Sequence, residues 1–201
     1  MNSELFFIYD SHCPWSYATT QLVNEIVAVY PEMTVNLWHT AHYDGSDSPG
    51  QQQVDAVSKQ TAANFGKDYT HFADAKQDAT MTANVMAWMQ YKQPEKALDV
   101  LNALQKEHFI EGNALNCAED FETTLTGFKL SPPKKVFKNE LSKEAEYTMG
   151  DIAEMQELTQ TSAFPALMLA VDEQLVLLNH NLYLTKPSAI IEAVKLEMKN
   201  T

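Results

Sequence analysis

A cysteine at the predicted start of a helix is the residue of this sequence best placed to do chemistry. Residues 5–9 form a continuous apolar run, typical of a strand buried on both faces, and Cys13 and Pro14 follow it after a polar turn. Proline is favoured in the first helical turn, where backbone N–H groups lack intrahelical partners and the dipole is positive. Because such a position stabilises a thiolate, the sequence predicts a lowered pKa and a nucleophilic Cys13.

Ser16 lies one helical turn beyond the cysteine, in the sequence Cys13-Pro14-Trp15-Ser16. Its hydroxyl is expected to donate a hydrogen bond to the thiolate, but it can form no disulfide. The alternative is that Cys13 is an inert small hydrophobic residue at the end of a strand. The order of strand, turn, cysteine and helix favours the activated thiol.

The second cysteine, Cys117, is interpreted as a partly buried structural residue rather than a resolving thiol. Asn116 and Glu119 resemble a capping box that starts a short helix at this cysteine. The carboxylates of Glu119 and Asp120 are expected to raise the pKa of Cys117 and to slow its attack on a disulfide.

The composition limits the classes of partner. The chain has 201 residues, of which 45% are apolar, and a net charge of −13. This length suits one domain or a domain with a large insertion, and the acidity disfavours binding to nucleic acid or to anionic membranes. The first residues lack a signal-peptide pattern, and no stretch approaches the ~20 apolar residues of a membrane span. With only two cysteines, we expect a cytoplasmic protein with free thiols.

The hydrophobic pattern predicts an α/β fold with a helical insertion. The first forty residues are predicted to form a strand, a helix and a second strand at residues 34–38. The spacing then becomes helical through residue 149, with helices at residues 80–91 and from Pro94 onward. A helix that stops near Thr161, a hairpin and a C-terminal helix complete the chain.

Three motifs together resemble those of the DsbA-like thioredoxin superfamily. Cys13-Pro14-Trp15-Ser16 is similar to its Cys-Pro-Trp-Cys motif, residues 108–113 resemble its Phe-x-Glu-Gly element, and Ala163-Phe164-Pro165 resembles its cis-proline loop. The pattern is similar to that of cytoplasmic FrnE-type proteins, and also to 2-hydroxychromene-2-carboxylate isomerases and kappa-class glutathione transferases.

The resemblance implies a thioredoxin fold interrupted by a large α-helical insertion domain. Residues 1–45 and 150–201 would form the thioredoxin-like domain, and residues 46–149 the insertion. The resemblance also implies that Pro165 has a cis peptide bond and lies opposite Cys13. The other residues expected to contact the substrate are Phe164, through its backbone, and His12, Pro14 and Trp15.

Two of these residues leave alternatives open. His12 either tunes the thiol or faces solvent, and Trp15 either edges the substrate groove or packs on the insertion. His39 and His42 are close in sequence, but no further cysteine or histidine follows at ligand spacing, so no metal site is expected.

The function expected from this pattern is that of a cytoplasmic thiol–disulfide oxidoreductase with one nucleophilic cysteine, Cys13. Since Ser16 replaces the resolving cysteine, glutathione or another thiol must release the mixed disulfide. The expected partners are protein or small-molecule thiols and disulfides, with glutathione a co-substrate and no permanently bound cofactor. The alternatives are a glutathione-dependent isomerase or transferase of the kappa-class type, and a peptide-binding or chaperone module. The oligomeric state stays open, with a homodimer one option.

Overall fold

The computed structural model describes residues 3–199 of the chain. Within this part, four strands form one mixed sheet in the order β2-β1-β3-β4. The strands are β1 (Ser3–Tyr9), β2 (Thr34–His39), β3 (Ala166–Val171) and β4 (Gln174–Leu178). β1 pairs parallel with β2 and antiparallel with β3, and β3 and β4 form an antiparallel hairpin. This sheet confirms the predicted α/β fold class.

The helices lie on both sides of the sheet and in the insertion. They are α1 (Pro14–Val29), α2 (Gly50–Gln60), α3 (Lys67–Thr70), α4 (Thr80–Lys92), α5 (Pro94–Phe109), α6 (Glu122–Gly127), α7 (Lys143–Thr159) and α8 (Ile190–Lys199). Since α2 to α6 fall between β2 and α7, the insertion is helical, as the sequence predicts. The boundaries of the two domains stay a prediction, and α7 continues without a break across position 150. Among residues 3–199, no helix is long and apolar enough to cross a bilayer.

The central strand β1 alternates between two packed faces. Leu5, Phe7 and Tyr9 are fully buried in the main core, which α1, α5 and α8 cover. Ile8 points to the other face and packs with Ile152 of α7. Burial on both faces explains why β1 is a continuous apolar run rather than an alternating one. The strand ends at the turn that carries Cys13.

The helix start predicted at Cys117 is displaced by one residue. Cys117 itself is extended and precedes a 3₁₀ turn, Ala118–Phe121. The residue three positions after Cys117 is Asp120, and its carboxylate accepts the N–H groups of Asn116 and Cys117 at 2.9 and 3.3 Å. Glu119 therefore does not take the role that the sequence pattern assigned to it.

The end of the insertion is attached to α4 by the buried side chain of Asn84. Its Nδ2 donates to the carbonyl oxygens of Val136 and Glu140 at 3.1 and 2.9 Å, and its Oδ1 accepts the N–H of Ser142 at 2.7 Å. Ser142 in turn caps α7 by accepting the N–H of Ala145. Because α7 leads into the loop of Pro165, Asn84 helps to position one side of the candidate site.

We expect Asn84→Ala to lower the free energy of unfolding by about 3 kcal/mol, because it leaves one buried and two partly buried backbone groups without their partner. Denaturant unfolding followed by circular dichroism measures this change. Asn64→Ala, at an exposed position, is the matched control and should change the stability little. Equal stability of the two variants would show that Asn84 does not hold this segment.

Candidate active site

Cys13 occupies the N-cap position of α1, directly after the turn that ends β1. Its N–H donates to the carbonyl oxygen of Asp10 at 3.1 Å, and its own carbonyl accepts the N–H of Tyr17 at 3.0 Å. Pro14 is the first residue of the helix, where its missing N–H costs nothing. The thiol therefore lies at the positive end of α1, where the sequence placed it.

Ser16 is fully buried beside the cysteine. Its Oγ accepts the N–H of Asp10 at 3.2 Å, which leaves the hydroxyl proton free to point elsewhere. Hydrogen bonds from the backbone N–H groups of Ser16 and Trp15 and from the Ser16 hydroxyl all act to lower the pKa of Cys13. The expected donor role of Ser16 thus has a structural basis in the way Asp10 orients its hydroxyl.

The pKa of Cys13 nevertheless moves opposite to the sequence expectation. Burial of the thiol raises its pKa to about 11, since desolvation outweighs the hydrogen bonds of Ser16 and Trp15 and the charge of Asp10 adds to the rise. Only 5% of Cys13 is exposed. At pH 7 a pKa of about 11 leaves about one thiol in ten thousand ionised. The prediction of a depressed pKa is wrong for this conformation because sequence pattern does not reveal how deeply the thiol is covered.

The Phe164–Pro165 peptide bond is cis, as the resemblance implied. Phe164 packs against the buried cluster that contains Cys13, and its ring centroid lies 4.9 Å from that of His42. The structure therefore brings the cysteine turn and the residue before the cis-proline together, although they are about 150 positions apart in the chain. Trp15 packs against the same cluster, and also against the main core.

Two surface pockets flank the proline loop. One has a volume of about 290 Å³, and Pro165, Leu178 and His180 are among its lining residues. The other has a volume of about 260 Å³ and includes His42 and Phe164. Both open beside the two residues of the cis peptide, so an extended ligand that contacts this loop has concave surface on either side.

His12 is buried completely, which excludes the interpretation that it faces solvent. Its Nδ1 lies 2.9 Å from the Ser11 hydroxyl, and its Nε2 donates to the carbonyl oxygen of Ala114 at 3.1 Å. The ring centroid lies 4.1 Å from that of His108 in the insertion. Burial lowers the pKa of His12, although the charge of Asp10 opposes this. A neutral His12 therefore anchors the turn to the insertion and supplies no positive charge to the thiol.

His39 belongs to the same buried network rather than to a site with His42. Backbone N–H groups of Ser11 and Ala41 point at its two ring nitrogens, at 3.0 and 2.9 Å. A doubly protonated ring would set N–H against N–H at both contacts, and burial lowers the pKa of His39 to about 4. Within residues 3–199, no three side chains of metal-ligating type form a group that could hold a metal ion.

The backbone conformation explains why residues 108–113 contain a glycine. Gly112 has a φ of +76°, and a Cβ there would lie 2.7 Å from the Cβ of Asp68. This bend allows His108 Nδ1 to donate to the carbonyl oxygen of Asn113 at 2.7 Å. The loop then continues to Ala114, whose carbonyl binds His12. The motif thus connects the insertion to the cysteine turn.

Asp10 and Tyr43 also lie at the site, although the motifs of the sequence predict no role for them. The Asp10 carboxylate accepts N–H groups from His12, His42 and Tyr43 at 2.8, 2.7 and 3.2 Å. The position of Asp10, at the end of a buried strand before the cysteine turn, was a usable signal. Tyr43 gave none, because only the path of the loop after β2 brings it to Cys13.

Cys117 has a raised pKa, in the direction expected. The N–H of Asp120 lowers it, but desolvation and the side chains of Glu119 and Asp120 together outweigh that contribution. Both cysteines are free thiols. Cys117 is half-buried, which agrees with a structural interpretation.

Comparison with solved structures decides the fold. The cytosolic disulfide reductase DsbM from Pseudomonas aeruginosa matches with a TM-score of 0.82 and 18% sequence identity, over 98% of this chain and 100% of that chain. The chain has a DsbA-like fold. A crystal structure described as a putative protein disulfide isomerase from Nitrosomonas europaea matches with a TM-score of 0.73 and 16% identity, over 98% of each chain.

A third solved structure with a similar fold is an isomerase. A 2-hydroxychromene-2-carboxylate isomerase matches with a TM-score of 0.58 and 12% identity, over 98% of this chain and 99% of that chain. No protein-family model and no curated protein matches the sequence. These identities are low, so the likeness establishes the fold and leaves the activity to be argued from the site.

Ser16→Ala should raise the pKa of Cys13 further, because it removes a hydrogen-bond donor to the thiolate. We expect alkylation of Cys13 by iodoacetamide at pH 9 to slow by about tenfold, the effect of losing a hydrogen bond to a charged group. The measurement is the alkylation rate against pH in a Cys117→Ser background, and Ser188→Ala at an exposed position is the control. An unchanged rate would show that the Ser16 hydroxyl does not contact the thiolate.

Stability should fall in acid because of the buried histidines. The pKa values of His12, His39 and His108 are lowered in the folded state, so the unfolded chain binds protons first. Their contribution is fully present above pH 6.5 and is lost as the pH falls towards about 4. Denaturant unfolding at several pH values should show this loss, with a smaller slope in His39→Gln.

The control for this pH dependence is His71→Gln, since His71 is exposed. It should keep the wild-type slope. A stability that stays flat between pH 6.5 and 4.5 in the wild-type protein would contradict the assignment of neutral buried histidines.

Proposed function

We propose that this protein is a thiol–disulfide oxidoreductase that acts through the single cysteine Cys13, with glutathione or another small thiol completing the cycle. The observation that carries the proposal is the position of Cys13 at the start of α1, close to both the Ser16 hydroxyl and Phe164 of the cis-proline loop. Helix N–H groups and a hydroxyl stabilise a sulfur anion once water or a substrate reaches it.

The reaction proceeds through a mixed disulfide. The Cys13 thiol loses its proton to solvent, and the thiolate attacks the glutathione sulfur of a mixed disulfide R–S–S–G. A Cys13–S–S–G bond forms, and R–S⁻ leaves and takes up a proton. The thiolate of a second glutathione then attacks the bound glutathione sulfur, which releases oxidised glutathione and regenerates the Cys13 thiolate.

An external thiol is needed because Ser16 stands where a dithiol site has its second cysteine. A dithiol site would resolve the mixed disulfide with its second cysteine, whereas the Ser16 hydroxyl can only hydrogen-bond to the departing sulfur. Pro14 starts the helix and Trp15 lies beside the thiol, where it would contact the substrate. His12 would act through the turn that it holds in place, and Phe164 through its backbone.

The solved structures support this assignment by analogy. DsbM is described as a cytosolic disulfide reductase, and a second structure of it contains GSH. We extend this to the present chain as a proposal that it uses glutathione and works in the cytoplasm, with no permanently bound cofactor. The two free thiols, Cys13 and Cys117, are consistent with a reducing compartment.

One observation favours a second candidate, a glutathione-dependent isomerase or transferase. With a pKa of about 11, Cys13 is protonated at neutral pH. A protonated thiol can donate a hydrogen bond to a glutathione thiolate, and the glutathione sulfur then becomes the nucleophile. This candidate predicts turnover of an aromatic electrophile without a mixed disulfide on Cys13.

The test is reduction of a glutathionylated peptide in the presence of glutathione and an NADPH-coupled glutathione reductase. The wild-type protein should accelerate the reaction, and intact-protein mass spectrometry should find one glutathione bound to Cys13. Cys13→Ser should lose at least about 99% of the acceleration, because it removes the nucleophile.

Cys117→Ser is the matched control and should retain wild-type turnover. Full activity of Cys13→Ser would exclude the single-cysteine mechanism. Glutathione-dependent turnover of an aromatic electrophile that survives without any adduct on Cys13 would instead support the second candidate.

A further inference from the structure

The thiol of Cys13 lies under aromatic side chains. Cys13, Tyr43 and Ala79 form one buried cluster, and Trp15 and Phe164 pack against it. Only 5% of Cys13 and 4% of Tyr43 are exposed. We call the side chains of Tyr43, Trp15 and Phe164 the aromatic cover. Trp15 follows the cysteine turn and Phe164 belongs to the proline loop, whereas Tyr43 belongs to the loop after β2.

Two backbone hydrogen bonds hold Tyr43 beside the cysteine. Its N–H donates to the Asp10 carboxylate at 3.2 Å, and its carbonyl oxygen accepts the N–H of Ala79 at 2.7 Å. The preceding residue, His42, donates its N–H to the same carboxylate at 2.7 Å and lies against the Phe164 ring. These bonds fix the backbone of Tyr43, so any change in the cover at this position has to come from its side-chain torsions.

The pKa values of Tyr43 and Cys13 agree with close packing of the two side chains. Burial raises the pKa of the Tyr43 hydroxyl, and a negative charge on Cys13 raises it further. Burial also raises the pKa of Cys13. Both groups are therefore neutral while the cover is closed, and a thiolate becomes more favourable when water or polar groups of a substrate replace part of the aromatic surface.

The chemistry of disulfide exchange makes such a cover selective. The attacking thiolate must reach the disulfide sulfur directly, so rates depend on access as well as on thiolate content. A sulfur on a slender, flexible peptide can enter beside Tyr43 with a small side-chain movement. A disulfide set into the surface of a folded protein brings backbone on both sides, and we expect this backbone to collide with Tyr43 and Trp15.

We propose that Tyr43 is a specificity-determining residue that restricts Cys13 to low-molecular-weight and flexible thiols and disulfides, such as glutathione and its mixed disulfides, and excludes disulfides of folded proteins. This inference rests on the proposed function for its substrate class. The size filter itself is a property of access to the thiol, so it is measurable whether or not the protein has redox turnover.

The test compares alkylation of Cys13 by small iodoacetamide and by a bulky fluorophore-linked maleimide, in a Cys117→Ser background. Tyr43→Ala should increase the ratio of the bulky to the small rate by about tenfold or more, which corresponds to lowering the barrier of the bulky reagent alone. The ratio cancels any change in the pKa of Cys13, because both reagents react with the thiolate.

Three variants serve as controls. Tyr43→Phe keeps the ring and should keep the wild-type ratio, and so should Tyr147→Ala, which removes an exposed tyrosine on α7. If Tyr43→Ala does not fold, Tyr43→Val keeps a branched apolar side chain while removing the ring, and it should also increase the ratio. If Tyr43→Ala, or Tyr43→Val in its place, folds and keeps the wild-type ratio, the proposal is overturned.

A second measurement connects the filter to the substrate class. Wild-type protein should accelerate reduction of a glutathionylated peptide but not that of the disulfides of a folded protein such as native ribonuclease, and Tyr43→Ala should gain the second activity. If neither substrate reacts but the alkylation ratio changes, the proposed redox function fails while the filter stands. Wild-type reduction of the folded protein at the rate of the peptide would refute the filter.

Discussion

The site depends on the hydrogen bonds that the carboxylate of Asp10 accepts. This carboxylate is completely buried and accepts three backbone N–H groups, from the cysteine turn at His12 and from the loop after β2 at His42 and Tyr43. The backbone of the same residue binds Cys13 and orients Ser16. Burying a carboxylate without hydrogen-bond partners costs free energy. Asp10 therefore holds the cysteine turn and the loop of His42 and Tyr43 in the positions where their N–H groups reach it.

Two physical effects oppose each other at Cys13. The N-terminal end of α1 and the Ser16 hydroxyl stabilise a thiolate, while burial under Trp15 and Tyr43 penalises the charge more strongly. The closed structure therefore holds a protonated thiol in surroundings that are already arranged for an anion. Water or polar substrate groups that reach the thiol would lower the desolvation penalty and leave the stabilising groups in place, so ionisation of the thiol depends on access.

The helical insertion contributes directly to this arrangement. Ala79, at the start of α4, holds the backbone of Tyr43, and the carbonyl of Ala114 binds His12. The ring of His108 is tilted against that of His12 at a centroid distance of 4.1 Å, and the neutrality of both rings follows from their burial. The insertion thus completes the environment of the cysteine, and a sheet with α1 alone would leave the turn without these contacts.

The sequence by itself determined the elements and the position of the thiol, because apolar periodicity and Pro14 are local signals that suffice to place β1, α1 and Cys13 between them. The motif resemblance added the cis peptide before Pro165. Only the tertiary structure decided the direction of the Cys13 pKa, the burial of His12 and the position of Tyr43 beside the thiol. Desolvation depends on every element that packs over a group, and residues distant in the chain, such as Tyr43 and Ala79, supply that packing here.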